Sequence, residues 1–346
     1  MSLTLNKKDF QYVRKNSLLH YVDKEFLICS RKNVLYESVD QGDNWQRWLE
    51  LPINFVNRLK VQSRLSRRLF RQYIYHVLLD KDFITVFGFG EIFIFSRFDK
   101  KLISRNPIIG SRPLVVTDYK NDIYYGEYTS NVERKEIRLF KSNKEKSAFE
   151  DYYVFQNIRH IHSVQCDPYT QKLFIATGDN DDECFIGFLE DKKFIPLIQG
   201  NQQARGIQLL FTKEYIYYAT DAPHEKNYIY RIVRATNEIE KLQEIGGPVF
   251  YGFQTDDLLF FSTVCEPSEV NNQENVELWA SKNGKNWKCI QVFKKDRYPM
   301  KLFQYGQLMF PKGKGDETNL WLTPFATNYD QKITKIPLKN IFDILK

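Results

Sequence analysis

Two aspartates sit where chemistry could be done. Asp179 ends the run Phe174 to Gly178, and Asp221 ends Tyr215 to Thr220 before Ala222-Pro223. Two carboxyl groups facing across a pocket, one protonated and one ionised, are what glycosidic bond cleavage uses. An aspartate closing a strand also caps the turn that follows, and the sequence leaves both roles open. Glu266, before Pro267, and Glu127, in Tyr125-Gly126-Glu127-Tyr128, are further acids at comparable points. His160 and His162 alternate, so on a strand both side chains leave the same face. They read as an acid/base pair, as two ligands for a divalent ion, or as structural histidines beside a channel. Arg205 either clamps a substrate carboxylate through paired hydrogen bonds or forms an ion pair with Asp179 or Asp221. Arg159, Gln202 and Arg112 complete the candidate ligand-binding set.

These residues need a scaffold that returns to one place, and a repeat supplies it. A phrase of an apolar residue, an aromatic, any residue and then a small one recurs in degenerate form. Registered on Ser38, its copies fall at Ser96, Ser142, Gly187, Ile232, Ser281 and Thr323, spaced 58, 46, 45, 45, 49 and 42 residues apart. A period near ~45 with strand-like contents predicts an all-β chain, a seven-bladed β-propeller of four-stranded antiparallel blades. The blades are expected near 18–51, 72–106, 113–155, 160–198, 206–244, 249–293 and 299–338, as one domain over 1–346. In such a blade, the loop entering the innermost strand and the loop joining strands two and three share one face. Arg112, Arg159, His160, His162, Gln202 and Arg205 belong to entering loops or strand starts; Glu127, Asp179, Asp221 and Glu266 belong to second-to-third connections. All are therefore expected around one mouth, as a ligand pocket requires.

The long first interval holds an insertion, 55–70, whose Phe55, Val56, Leu59, Leu65 and Leu69 are helically spaced. The spacing predicts a helix packed by that apolar stripe, with Arg64, Arg67, Arg68 and Arg71 on its solvated faces. The net charge of +7 is modest for 346 residues and points to an acidic small ligand or a solvated surface, away from nucleic acid. No apolar run approaches the ~20 residues of a membrane span, and Met1 to Lys8 does not read as a signal peptide, so a cytoplasmic protein is expected. Five dispersed cysteines read as mostly buried thiols rather than a zinc site or a disulfide framework. Gly88-Phe89-Gly90 lacks the helix of a dinucleotide site and no phosphate loop is present, so no cofactor is expected.

Ser38-Val39-Asp40-Gln41-Gly42-Asp43-Asn44-Trp45 matches the Asp-box pattern Ser-x-Asp-x-Gly-x-x-Trp. Ser281 to Trp287 is a copy one residue shorter, and Ser142 to Phe149 keeps the spacing with Lys144 and Lys146 replacing Asp and Gly. The chain thus resembles the Asp-box (BNR-repeat) propellers, a group that includes sialidases and other glycoside hydrolases. A second likeness, to members of that superfamily without an assigned reaction, runs through Arg159-His160-Ile161-His162, Asp167-Pro168, Thr177-Gly178-Asp179, Arg205 and Thr220-Asp221. The resemblance implies a carbohydrate-active protein whose box turns lie on the face away from the active site. In sialidases an arginine triad and a Tyr–Glu pair do the chemistry. Arg112, Arg159, Arg205 and Tyr125 to Tyr128 are the nearest material here, and no Arg-Ile-Pro segment is present. The expected activity is hydrolysis of an acidic or polyhydroxylated glycan, with Asp179, Asp221 or Glu266 as acid and base. The competing expectations are a non-catalytic propeller binding a glycan or protein, and a metal-dependent polysaccharide lyase using His160 and His162.

Overall fold

A computed structural model describes residues 4–271 and 274–346; residues 1–3, part of the segment considered for a leader, lie outside it. The described strands form seven four-stranded antiparallel sheets, a seven-bladed propeller. Six blades are built in chain order. Blade four is His160–Cys166, Leu173–Gly178, Phe185–Glu190 and Lys193–Gln199, and blade five is Gly206–Phe211, Tyr215–Thr220, Asn227–Val233 and Ile239–Ile245.

The seventh blade departs from the expected repeat. Its inner strands are Gln307–Met309, Asn319–Phe325 and Lys332–Pro337, and its outermost strand is Gln11–Lys15 from the other end of the chain. Pairing the two ends in one sheet closes the ring and covers an edge that would otherwise stay open. Consequently Thr323 lies in the second strand, whereas Ser38, Ser96, Ser142 and Ser281 end third strands.

Neighbouring sheets stack through alternating apolar residues. Phe174, Ala176 and Ile186 of blade four pack against Leu209, Phe211, Ile216 and Tyr218 of blade five in one buried cluster. That contact fixes the Asp179 end of blade four against the Arg205 end of blade five. The innermost strands surround an axial cavity of about 400 Å³ lined in part by Tyr75, Arg112, Gln165, Gln208, Tyr251 and Lys312. In five blades the innermost strand is bulged near its start. In blade four the register skips His162, and a bulge re-aims the extra residue.

The Asp-box turn is built as its residue types require. Gly42 N–H donates to Ser38 Oγ (2.9 Å), Asn44 N–H to Asp40 Oδ1 (2.9 Å), and Trp45 Nε1–H to Gly42 O (2.9 Å). Gly42 holds φ at +88°, where L-residues are strained. The copy at Ser281 repeats this with Gly284 and Trp287. Both turns join third and fourth strands, on the face opposite the second-to-third loops.

The insertion departs most from expectation. It forms two short helices, Phe55–Lys60 and Arg64–Leu69, capped by Asn54 and Ser63. Phe55, Val56, Leu59 and Leu69 are exposed, whereas Arg67 and Arg68 are buried. Ion pairing overrides the apolar stripe here. Arg68 reaches Asp296, Asp330 and the Phe303 carbonyl of blade seven, among the rings of Tyr298, Phe303 and Phe325. No described helix is long and apolar enough to cross a membrane.

Candidate functional site

Asp179 follows the second strand of blade four and is the hub of the mouth. Arg159 Nη1 approaches its Oδ2 at 3.1 Å, and Arg205 Nη2 its Oδ1 at 2.9 Å. The Nε2 atoms of His160 and His162 each lie 3.3 Å from Oδ1, and 2.9 Å from one another. Burial alone would raise the pKa of this carboxyl. The contacts with both histidines and the charge of Arg205 outweigh burial and hold it far below the usual carboxylate range.

Asp221 ends the corresponding strand of blade five and has the opposite character. Arg205 Nε–H donates to its Oδ2 at 3.2 Å, while its Oδ1 is buried without a hydrogen-bond partner. Burial, reinforced by the charges of Glu266 and Asp179, pushes its pKa up to about 7 against the opposing pull of Arg205. One guanidinium therefore joins a firmly ionised carboxylate to one poised near neutrality. Such a divergence between neighbours marks sites where protons are moved.

Neither aspartate caps its turn. The Asp221 turn is stitched by Asn227, whose Oδ1 accepts from Thr220 Oγ1 and Ala222 N and whose Nδ2 donates to Ala222 O. The loop after Asp179 is held by Gln202, donating to Asp179 O and Asp181 Oδ1, and by the buried Glu183, which accepts from Arg159 N and Asn180 Nδ2. With its turns closed by other residues, each carboxyl group is left for Arg205.

The remaining candidates divide. Glu266 is close enough for its charge to act on Asp221; burial raises its own pKa, and it shares a hydrogen bond with Tyr305. Arg112 stacks over Tyr75 at 5.1 Å beside the axial cavity and makes no salt bridge among the described residues. Glu127 stands apart: its carboxylate accepts from Arg138 N in an outer groove with Arg134 and Gln156. Arg205 has Nε and Nη2 occupied by the aspartates and Nη1 donating to Asp179 O, so its ion-pairing alternative is the arrangement present.

Three contributors were not singled out from sequence. The Tyr128 ring lies 4.1 Å from that of His160, Thr129 O accepts from His160 Nδ1 at 2.8 Å, and Gly178 makes room for the His162 ring. Strand parity was the available signal for Tyr128, since Glu127 and Tyr128 must face opposite ways. Gly178 is required by close approach: a Cβ there would stand 2.6 Å from His162 Cε1.

No protein-family model and no curated protein sequence matches the chain. Solved structures do. The computationally designed Ika8 protein aligns at 8% identity and a TM-score of 0.51, covering 94% of this chain and 98% of that one. A chain of the mitotic checkpoint complex aligns at 10% identity and a TM-score of 0.58, over 97% and 93%. A "putative 6-phosphogluconolactonase from Bacteroides uniformis ATCC 8492" aligns at 8% identity and a TM-score of 0.52, over 80% and 85%. At such identities the likeness concerns the propeller fold alone.

Proposed function

We propose that the mouth of blades three to six is the ligand site of a carbohydrate-active protein that hydrolyses an acidic or heavily hydroxylated sugar. The observation that carries this reading is Asp221, a buried carboxyl held near neutrality with one oxygen unpartnered, beside a second acid of raised pKa, Glu266. A protonated acid and a nearby carboxylate are the two groups glycosidic cleavage needs. Asp221 serves as the general acid and Glu266 as its base or nucleophile. Asp179, bound to two arginines, orients Arg205 instead of exchanging protons. Arg112, unpaired in any salt bridge among the described residues, and the half-exposed Arg159 favour a ligand carboxylate over a neutral sugar.

The test is a panel of acidic and neutral oligosaccharides scored for binding by calorimetry and for new reducing ends. Wild-type protein is expected to cleave an acidic member, with Asp221→Asn and Glu266→Gln each lowering kcat by about 10²–10⁴ while binding persists. Binding without turnover would replace hydrolysis by a non-catalytic glycan-binding role. If no sugar binds, the carbohydrate reading falls.

A further inference from the structure

We propose that His160, His162 and Asp179 form a binding site for one divalent first-row transition-metal ion, with Zn²⁺ and Mn²⁺ as its test occupants. The ion would sit between His160 Nε2, His162 Nε2 and Asp179 Oδ1. This site does not depend on the carbohydrate reading, because it follows from donor geometry alone.

The three donors are separated by 2.9, 3.3 and 3.3 Å. An ion at the usual ~2.1 Å from each would subtend ligand–ligand angles of about 87° to 104°, from near the octahedral value toward the tetrahedral one. Two imidazoles and one carboxylate on one side of an ion, with its other positions open, is a recurrent arrangement for such metals.

The proton inventory supports an ion at that point. Thr129 O can only accept, so His160 Nδ1 carries the proton and donates to it. Ring atom Nε2 of His160 then points toward His162 Nε2 and Asp179 Oδ1, where it can offer its lone pair to an ion. The carboxylate is an acceptor too. Three ligand atoms thus converge on one point, and a cation there would contact all of them at once. The Nδ1–H bond to a backbone carbonyl is also the support that metal-bound histidines ordinarily have. Asp179 is prepared in the same way. Arg205 takes a second lone pair of Oδ1 and Arg159 holds Oδ2, which fixes the rotation of the carboxylate.

The two histidines are not equivalent. Ligation through Nε2 places the one ring proton of His162 on Nδ1, an atom buried without a partner. His160, anchored on Thr129 and covered by Tyr128, is the stronger ligand. The histidine side chains are 5% and 1% exposed and that of Asp179 is 19% exposed. The open coordination positions therefore face the mouth on the Asp179 side. There, two guanidiniums and a dication would attract an anionic oxygen, such as a carboxylate or an ionised hydroxyl of the ligand.

The experiment uses the whole chain, stripped with a chelator and then dialysed, and titrated with ZnCl₂ and MnCl₂ with no sugar present. Mn²⁺ is included because it ignores thiols, which separates this site from the cysteines. One equivalent of at least one metal is expected to bind and to raise Tm. His160→Ala should weaken binding by about 100-fold or more and His162→Ala by about 10-fold, an order set by their differing outer support. Circular dichroism checks that each variant is folded. Should one fail to fold, imidazole proton shifts of the wild-type histidines on adding Zn²⁺ provide the same answer. The proposal is overturned if neither metal binds stoichiometrically, or if binding survives in folded His160→Ala. Metal binding without any sugar binding would retain this site and reject the carbohydrate reading.

Discussion

The mouth face carries two buried ionic clusters, one centred on Asp179 and one on Arg68, and they are finished to different degrees. Arg68 is fully buried; its guanidinium meets Asp296, Asp330 and the Phe303 carbonyl, and Asp330 also caps Ala326 N and meets Arg64. No described side-chain nitrogen or oxygen of that cluster is buried without a partner. Around Asp179 and Asp221 two such atoms remain, His162 Nδ1 and Asp221 Oδ1. Networks of buried polar groups are stabilising when complete and costly when partial. The first cluster is therefore read as a clasp holding the insertion to blade seven. The second has the incompleteness of a site that awaits something.

Breaking the clasp should give the largest effect. Arg68→Ala removes the cation that Asp296 and Asp330 share, leaving Asp296 to Lys295 and Asp330 to the part-exposed Arg64. Removing one partner from a buried ion pair costs about 3–5 kcal/mol. Urea denaturation of the variant is expected to show a loss of that size. A loss below about 1 kcal/mol would mean that the clasp is no more than a surface contact.

The open cluster should respond in the opposite direction. Folding raises the pKa of Asp221 from 3.8 to about 7, so the fold favours the protonated acid. Its contribution is fully present below pH 4, is lost as pH rises through the interval 4 to 7, and stays lost above it. At about 1.4 kcal/mol per pKa unit, the destabilisation at pH 8 is at most about 4 kcal/mol. Asp221→Asn, neutral at every pH, should match the wild type near pH 4 and be the more stable protein at pH 8, measured with chelator present. A variant that is less stable at both pH values would show Asp221 to belong with the clasp, as a structural partner of Arg205.

The two clusters also differ in how far the sequence foretold them. The repeat period placed Asp179, Asp221, Arg205, His160 and His162 on one face, because blade topology assigns every loop to one side or the other. The ends of the ring were harder. Gln11–Lys15 pairs with Lys332–Pro337 across the whole chain, and no local pattern announces a partner at that distance. For the same reason Thr323, registered with Ser38 by the repeat, lies in a second strand where Ser38 ends a third. Loop parity grouped Glu127 with the acids, yet a strand end has two sides, and Glu127 turns outward while Tyr128 turns in. The Arg68 clasp was illegible for a different reason. Helical spacing identifies the apolar face of an insertion but not which face meets the body, and here that depended on Asp296 and Asp330 far along the chain.

The smallest effect tests that reversal directly. If the insertion were held by its apolar stripe, replacing Phe55 and Leu59 by serine would remove two buried side chains, at about 2–5 kcal/mol each. In the structure these residues are 71% and 56% exposed. Surface substitutions of this kind ordinarily stay within about 0.5 kcal/mol. The Phe55→Ser/Leu59→Ser double variant is therefore expected to keep wild-type stability, in contrast with the large loss from Arg68→Ala in the second helix of the same insertion. A double variant that unfolds several kcal/mol more easily would return the apolar stripe to the interior and turn the helices over. A neutral result leaves the arginines as the anchor, and leaves the insertion with an apolar outer surface that its own fold does not use.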